Sequence, residues 1–191
     1  MISDHASFKF GTAGTLQRVL HEAYEDEHAF MLQGGDKIRT SWMPFQLADF
    51  VALLTEAMCV TEGISFLEVG SGVGTKSMIA RHMFGLTTFG IEYDETLATV
   101  ATQKARGPVW VGDALTYPYG YTNYDIIWMY RPFRDPELQD QLEQRVYREM
   151  KPGAVFMGAA LENAPDGWIT VVDDFDMGNR GVWQKPLNPR G

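Results

Sequence analysis

Residues 66–74 read Phe66-Leu67-Glu68-Val69-Gly70-Ser71-Gly72-Val73-Gly74, and this stretch sets the reading of everything around it. Ile64, Phe66, Leu67 and Val69 form a short apolar run that stops at a cluster of glycines, the pattern of a buried strand entering a turn. Glycines at three alternate positions permit positive φ and let a ligand lie against bare backbone. A helix is expected directly afterwards, from Thr75 to about Phe84.

The same alternation continues outward from this unit. A strand is expected at Thr87 to Ile91, a helix at Glu95 to Ala105, and strands at Val109 to Val111 and Tyr124 to Met129. Asp135 is a good N-cap with Pro136 at the first helical position, and Leu138, Leu142, Val146 and Met150 recur every four residues along one face. That helix should stop at Pro152 and Gly153, before a fifth strand at Ala154 to Met157. Alternating strands and helices call for a parallel sheet covered on both faces. The tail departs from this rhythm. Trp168 to Val172 and Gly181 to Gln184 are so closely joined that they predict an antiparallel hairpin, and the short connection Ala159 to Gly167 leaves no room for a helix.

Toward the N-terminus, Thr15 to Met31 has apolar residues mostly at helical spacing and stops at Gly34 and Gly35. Pro44 can open a second helix carrying Phe45, Leu47, Phe50, Val51, Leu54, Ala57 and Met58. No Pro-rich or Ser-rich linker marks a second domain. The expected organisation is one domain over residues 1–191, with residues 1–62 as a helical cap and residues 63–191 as the sheet core.

Two common phosphate motifs fail on spacing. A nucleotidase phosphate loop needs lysine directly after its last glycine, whereas Gly74 is followed by Thr75 and only then by Lys76 and Ser77. A dinucleotide fingerprint needs a third glycine five residues after the first, and that position is Thr75; this weakens a nicotinamide-dependent oxidoreductase but keeps it as an alternative.

The chain resembles the class I S-adenosylmethionine-dependent methyltransferases at four successive places, over about Lys37 to the C-terminus. Gly70, Gly72 and Gly74, with Ser71 among them, match the family's glycine loop, and Glu68 matches the acidic residue on its first strand. Glu92, followed by Tyr93 and Asp94, ends the second strand about 20 residues past the loop, where an adenosine site is expected. Val111-Gly112-Asp113-Ala114 matches the segment after the third strand. Tyr124 to Phe133 matches the fourth strand and the loop facing the transferred methyl group. The resemblance implies a three-layer Rossmann-like α/β fold, with a mostly parallel seven-stranded sheet, an antiparallel C-terminal hairpin and a helical N-terminal cap. It implies S-adenosylmethionine as cofactor, with the loop around its methionine part, Glu92 on the ribose hydroxyls, and Asp113 and the Ala114 amide around the adenine. A cofactor with no phosphate and two cationic groups favours a carboxylate such as Glu68 over a lysine.

Tyr130 and Arg131 are the candidate catalytic residues. Family members that methylate amino groups of bases or glutamine amides carry Asp, Asn or Ser, then Pro-Pro and an aromatic. Here Tyr130, Arg131, Pro132 and Phe133 stand in those places, and only the last two agree. Arg131 could hold a substrate carboxylate or phosphate, or pair with Asp125 or Asp135. Trp42, Met43, Pro44 and Phe45 fit either a cover over the cofactor or core packing. His21 and His28 stand seven apart without further ligands, so no metal site is expected. Cys59 is read as inert core.

With 191 residues, 45% apolar, 21% charged and 13% aromatic, the composition suits one globular domain and excludes disorder as its main character. The net charge of −9 disfavours a nucleic-acid partner, which would require several cations on one face. The acidic residues around His21 to His28 point instead to neutral or cationic substrates. One cysteine, no basic leader and no long uninterrupted apolar run lead to the expectation of a cytoplasmic protein without membrane contact. The expected function is methyl transfer to an N or O nucleophile of a small molecule or protein side chain. A cofactor-binding sensor or partner protein without transfer activity is the alternative from a different class.

Overall fold

The computed structural model describes residues 21, 46–159, 166–174 and 180–187. The leading helix, Trp42 to Phe45 and the connection after the fifth strand therefore lie largely outside the described residues, although His21 is helical. Within them the order is α1 (Leu47–Val60), β1 (Ser65–Val69), α2 (Thr75–Phe84), β2 (Thr87–Glu92), α3 (Glu95–Ala105), β3 (Val109–Val111), a 3₁₀ turn (Ala114–Thr116), β4 (Ile126–Tyr130), α4 (Pro136–Glu149), β5 (Val155–Ala159), β6 (Ile169–Asp174) and β7 (Arg180–Gln184). Among the described residues the strands form one seven-stranded sheet in the order β3-β2-β1-β4-β5-β7-β6. Every pairing from β3 to β5 is parallel, and β7 runs antiparallel to both β5 and β6. This is the expected methyltransferase-type sheet with its C-terminal hairpin.

Burial follows from covering both faces of parallel strands. On β1, Phe66 packs with Phe50 and Leu54 of α1 and Ile79 of α2, while Leu67 and Val69 face Leu142 and Val146 of α4. Strand β4 repeats the division, with Ile126 and Trp128 on the first side and Ile127 and Met129 on the second. These continuous apolar strands have no solvent face to keep polar. Helix α3 packs against β2, β3 and α2.

The helices are well ended. Asp135 accepts from the amides of Glu137 and Leu138 at the start of α4, and Pro136 occupies its first position. At the other end, Lys185 Nζ donates to the carbonyls of Tyr147, Arg148 and Met150. Asp94 caps α3 through Thr96 and Leu97 in the same way.

Several local expectations change, among them the bounds of β5 and β6. Strand β4 begins at Ile126, because the Tyr124 hydroxyl is bonded to that of Tyr117 and Asp125 turns its carboxylate back to Ser65. The 3₁₀ turn after β3 was not expected. Cys59 is exposed rather than core, since the buried stripe of α1 runs through Phe50, Leu53, Leu54 and Ala57.

Asp125 ties the N-terminal ends of β1 and β4 to the turn before β5. Its Oδ2 accepts from the Ser65 amide at 2.9 Å and the Ser65 hydroxyl at 2.6 Å, and Oδ1 pairs with Lys151 Nζ at 2.5 Å. A Cβ on Gly63 would collide with the Asp125 carboxyl group, so that neighbour must stay small. Burial pushes the Asp125 pKa up, but the bonds from Lys151 and Ser65 outweigh it and hold it below its ordinary value. Its contribution is then complete above the unfolded-chain pKa and disappears as pH falls through the lower native one. Asp125→Ala is expected to cost about 2 kcal/mol in urea unfolding at neutral pH, and to reduce the loss of stability on acidification.

Candidate functional site

The C-terminal ends of β1 to β4 converge on one cleft, the position where open α/β sheets form crevices. It is an open cleft of about 900 Å³, counted with the part that is continuous with solvent. Ten of the eleven residues expected from the sequence line it: Glu68, Gly70, Ser71, Gly72, Glu92, Tyr93, Asp113, Ala114, Tyr130 and Arg131. Thus the loop after β1 and the turn after β4 share one space.

The glycine loop is held by backbone bonds to its neighbours. The amides of Gly70 and Ser71 both donate to the Ile91 carbonyl at 2.9 Å, and Gly70 and Gly72 have φ of 73° and 52°. These left-handed conformations are the reason for glycine there. A Cβ on Gly70 would also approach Pro132 of the β4 turn at 3.3 Å, so glycine lets the two loops meet.

Glu92 organises the second part of the cleft. Oε2 accepts from the Gly72 amide at 2.7 Å and Oε1 from the Asp94 amide at 2.9 Å. The carboxylate has about four acceptor sites, and with the bond from the Tyr93 amide about one remains. Burial raises its pKa against the lowering effect of the bonds from Asp94, Gly72 and Tyr93. The Gly112 amide donates to the Glu92 carbonyl, joining the end of β3 to the end of β2.

Two acidic residues have structural tasks besides lining the cleft. Glu68 is 2% exposed, and its Oε2 accepts from the Ser77 amide at 2.9 Å and the Ser77 hydroxyl at 2.6 Å, anchoring the first turn of α2. Asp113 caps the 3₁₀ turn through the Leu115 amide. At the far end, Trp128 and Tyr130 stack with centroids 6.5 Å apart, and Arg131 has φ of 40°. That left-handed backbone is uncommon for arginine and costs on the order of 1 kcal/mol. Neither proposed acidic partner of Arg131 makes that contact, since Asp125 pairs with Lys151 and Asp135 caps α4.

The cleft also has linings not named from the sequence. Thr75 and Lys76 come from the first turn of α2, Leu97 from α3, and Ile91 and Trp128 from strands. Their proximity to the glycine loop and to Asp94 was the available signal for the helical residues. Ile91 and Trp128 read as ordinary core. Among the described residues, no three His, Cys, Asp or Glu side chains group as a metal site, and no helix is long and apolar enough to cross a membrane.

Gly74 differs from the other loop glycines. It does not line the cleft but caps α2 with φ of 76°, and a Cβ there would lie 2.9 Å from Cα and Cβ of Ala101 on α3. Its smallness serves the close approach of two helices. Gly74→Ala is therefore expected to destabilise the fold by about 1–3 kcal/mol in denaturant unfolding, whatever it does to ligand binding.

A family model described as a methyltransferase domain matches residues 67–158, from β1 into β5. Another, described as protein-L-isoaspartate(D-aspartate) O-methyltransferase, matches residues 16–109. No curated protein sequence matches the chain at a significant level. An RNA methyltransferase from Salinibacter ruber, solved with S-adenosyl-L-homocysteine, is similar over 78% of this chain and 98% of its own, at 20% identity and a TM-score of 0.61. The cofactor-bound protein Rv0187 from MTB is similar over 90% and 91%, at 17% identity and a TM-score of 0.58. Phosphoethanolamine N-methyltransferase 2 of Haemonchus contortus is similar over 76% of this chain and 34% of its own, at 21% identity and a TM-score of 0.54. Likenesses at these identities establish the fold, while both family models describe methyl transfer and displace the oxidoreductase alternative. With its sheet order and these matches, the chain has the class I, Rossmann-like methyltransferase fold, and both family models, each over just under half of it, describe methyltransferases.

Proposed function

We propose that this methyltransferase holds S-adenosylmethionine across the ends of β1, β2 and β3, and methylates an N or O nucleophile of a small molecule or protein side chain beside Tyr130–Phe133. The observation that carries this reading is the single cleft, which runs from the glycine loop past Glu92 and Asp113 to Tyr130 and Arg131.

The residues present fit such a cofactor. Ser71 Oγ and Thr75 Oγ1 are buried without a hydrogen-bond partner among the described residues, and both residues line the cleft. Buried hydroxyls in that condition favour a polar ligand. Glu92 has acceptor capacity left for a ribose hydroxyl, and Gly70 leaves backbone uncovered beside the β1 turn. When bound, S-adenosylmethionine supplies an electrophilic methyl on a sulfonium and leaves as a neutral thioether.

The protein's part is mainly alignment. Glu92 and the glycine loop fix one end of the cleft, and Trp128 holds the Tyr130 ring at the other. The backbone carbonyls of Tyr130 and Arg131 are the acceptors offered to the nucleophile's N–H or O–H. Arg131, without a carboxylate partner among the described residues, suits a carboxylate or phosphate on the acceptor molecule. The net charge of −9 weighs against duplex nucleic acid as that acceptor.

Methyl transfer from labelled cofactor to a fractionated lysate tests the acceptor class. Label is expected in small molecules or proteins, and label chiefly in DNA or RNA overturns the reading. On an identified acceptor, Tyr130→Ala and Arg131→Ala should each reduce transfer by about 10–100-fold; if both leave it unchanged, the reacting group sits elsewhere.

Glu92 gives a pH test. Hydroxyl donors bind its charged form, so acidification should weaken S-adenosylhomocysteine binding, with onset above the ordinary carboxylate range because burial raises this pKa. Binding should release protons in that interval. In the free protein the raised pKa has the opposite sign from Asp125, because stability contributed by Glu92 falls as pH rises from the unfolded to the native value. Calorimetry of Glu92→Gln should show weaker binding without that pH-dependent step.

A further inference from the structure

Arg145 is a helical residue remote in sequence from every motif that led to the cleft, yet its guanidinium bonds directly to the chain that forms one wall. From α4, Nη1 donates to the carbonyls of Ala114 at 3.2 Å and Leu115 at 2.6 Å, and Nη2 donates to the carbonyl of Tyr117 at 2.6 Å. Nε donates to Glu149 Oε1 at 2.9 Å, and Glu149 Oε2 accepts from the Tyr121 amide at 3.3 Å. The guanidinium carbon lies 5.3 Å from the centre of the Tyr121 ring, and the Tyr121 hydroxyl donates to Ala114 O at 2.8 Å.

The segment receiving these bonds has little to hold it by itself. Strand β3 is three residues long at the edge of the sheet, and it leads into a single 3₁₀ turn, a conformation with poor intrinsic hydrogen-bond geometry. Asp113 and Ala114, at the junction, line the cleft. Arg145, by contrast, stands on a helix whose neighbouring positions Leu142 and Val146 are fully buried. A planar fork based on that helix can bind three carbonyls in fixed directions, which the single ammonium of lysine cannot do.

We infer that Arg145 is a positioning residue for nucleobase recognition: its fork, supported by Tyr121, sets where Asp113 and Ala114 stand in the cleft. The inference rests on the reading above that this wall receives the adenine. Arg145 does not line the cleft, and it acts through the carbonyls of residues 114, 115 and 117. Loss of the fork lets the turn shift by fractions of an ångström, which selectively weakens the bond between the Asp113 carboxylate and the 6-amino group of the base.

The test compares calorimetric binding of S-adenosylhomocysteine with that of S-inosylhomocysteine, which carries a 6-oxo group in place of the amine. Wild-type protein should prefer the adenosyl compound by about tenfold or more, because a site built for a donor rejects the analogue lacking it. Arg145→Lys keeps the charge and is expected to reduce that preference to within about threefold. Tyr121→Phe removes one donor to the Ala114 carbonyl and should reduce it in the same direction by less; this variant carries the test if Arg145→Lys does not fold. A purely structural role predicts lower melting temperatures with the preference intact, and that result overturns the inference. If wild-type protein binds neither compound, the cleft reading itself fails and the inference with it; binding of both compounds equally by wild-type protein overturns only the assignment of this wall.

Discussion

The carboxylate of Glu92 is the constraint on which the cleft depends. It accepts the Gly72 amide from the loop after β1 and the Asp94 amide from the cap of α3, while its own carbonyl receives the Gly112 amide from the end of β3. Three chain segments at the mouth of the cleft are thereby referred to one residue. A carboxylate suits this task because charge-assisted bonds to backbone amides are about twice as strong as neutral ones. Burial opposes the charge and raises the pKa against the lowering effect of these bonds.

Around that centre the acidic residues that line the cleft also support the surrounding chain. Glu68 anchors the start of α2 through Ser77, and Asp113 caps the turn after β3. Each carboxylate is thus oriented by the protein before any ligand enters, which reduces the ordering that binding would otherwise require. The glycines divide their tasks similarly. Gly70 lets two loops approach at the cleft, whereas Gly74 lets α2 and α3 approach behind it.

Helix α4 carries this arrangement to the far side of the sheet. Asp135 fixes one end and Lys185 binds the carbonyls at the other, so the helix presents Arg145 from a defined position. The buried hydroxyls of Tyr117 and Tyr124 are 2.5 Å apart, and burial raises the pKa of Tyr124 well above its ordinary value. The aromatic segment between β3 and β4 is therefore a packed support for the wall that carries Asp113 and Ala114 rather than a loose connection.

The sequence by itself determined the alternation of strands and helices, because apolar runs closed by glycine and helices opened by Asp94 or Asp135 are local signals with local causes. Helices α2 and α3 and strand β3 were legible to the residue, and ten of the expected site residues meet in one cleft. What lay beyond reach depends on contacts between distant segments. The exposure of Cys59, the helix-packing task of Gly74 and the failure of Arg131 to pair with Asp125 or Asp135 follow from which neighbours the fold supplies. Arg145 shows the reason most clearly: on α4 it is one charged residue among several, and only tertiary structure brings it to carbonyls 28 to 31 residues earlier in the chain. Periodicity and capping are written within one turn of helix or strand, whereas a guanidinium finds its acceptors only after the sheet has closed around them.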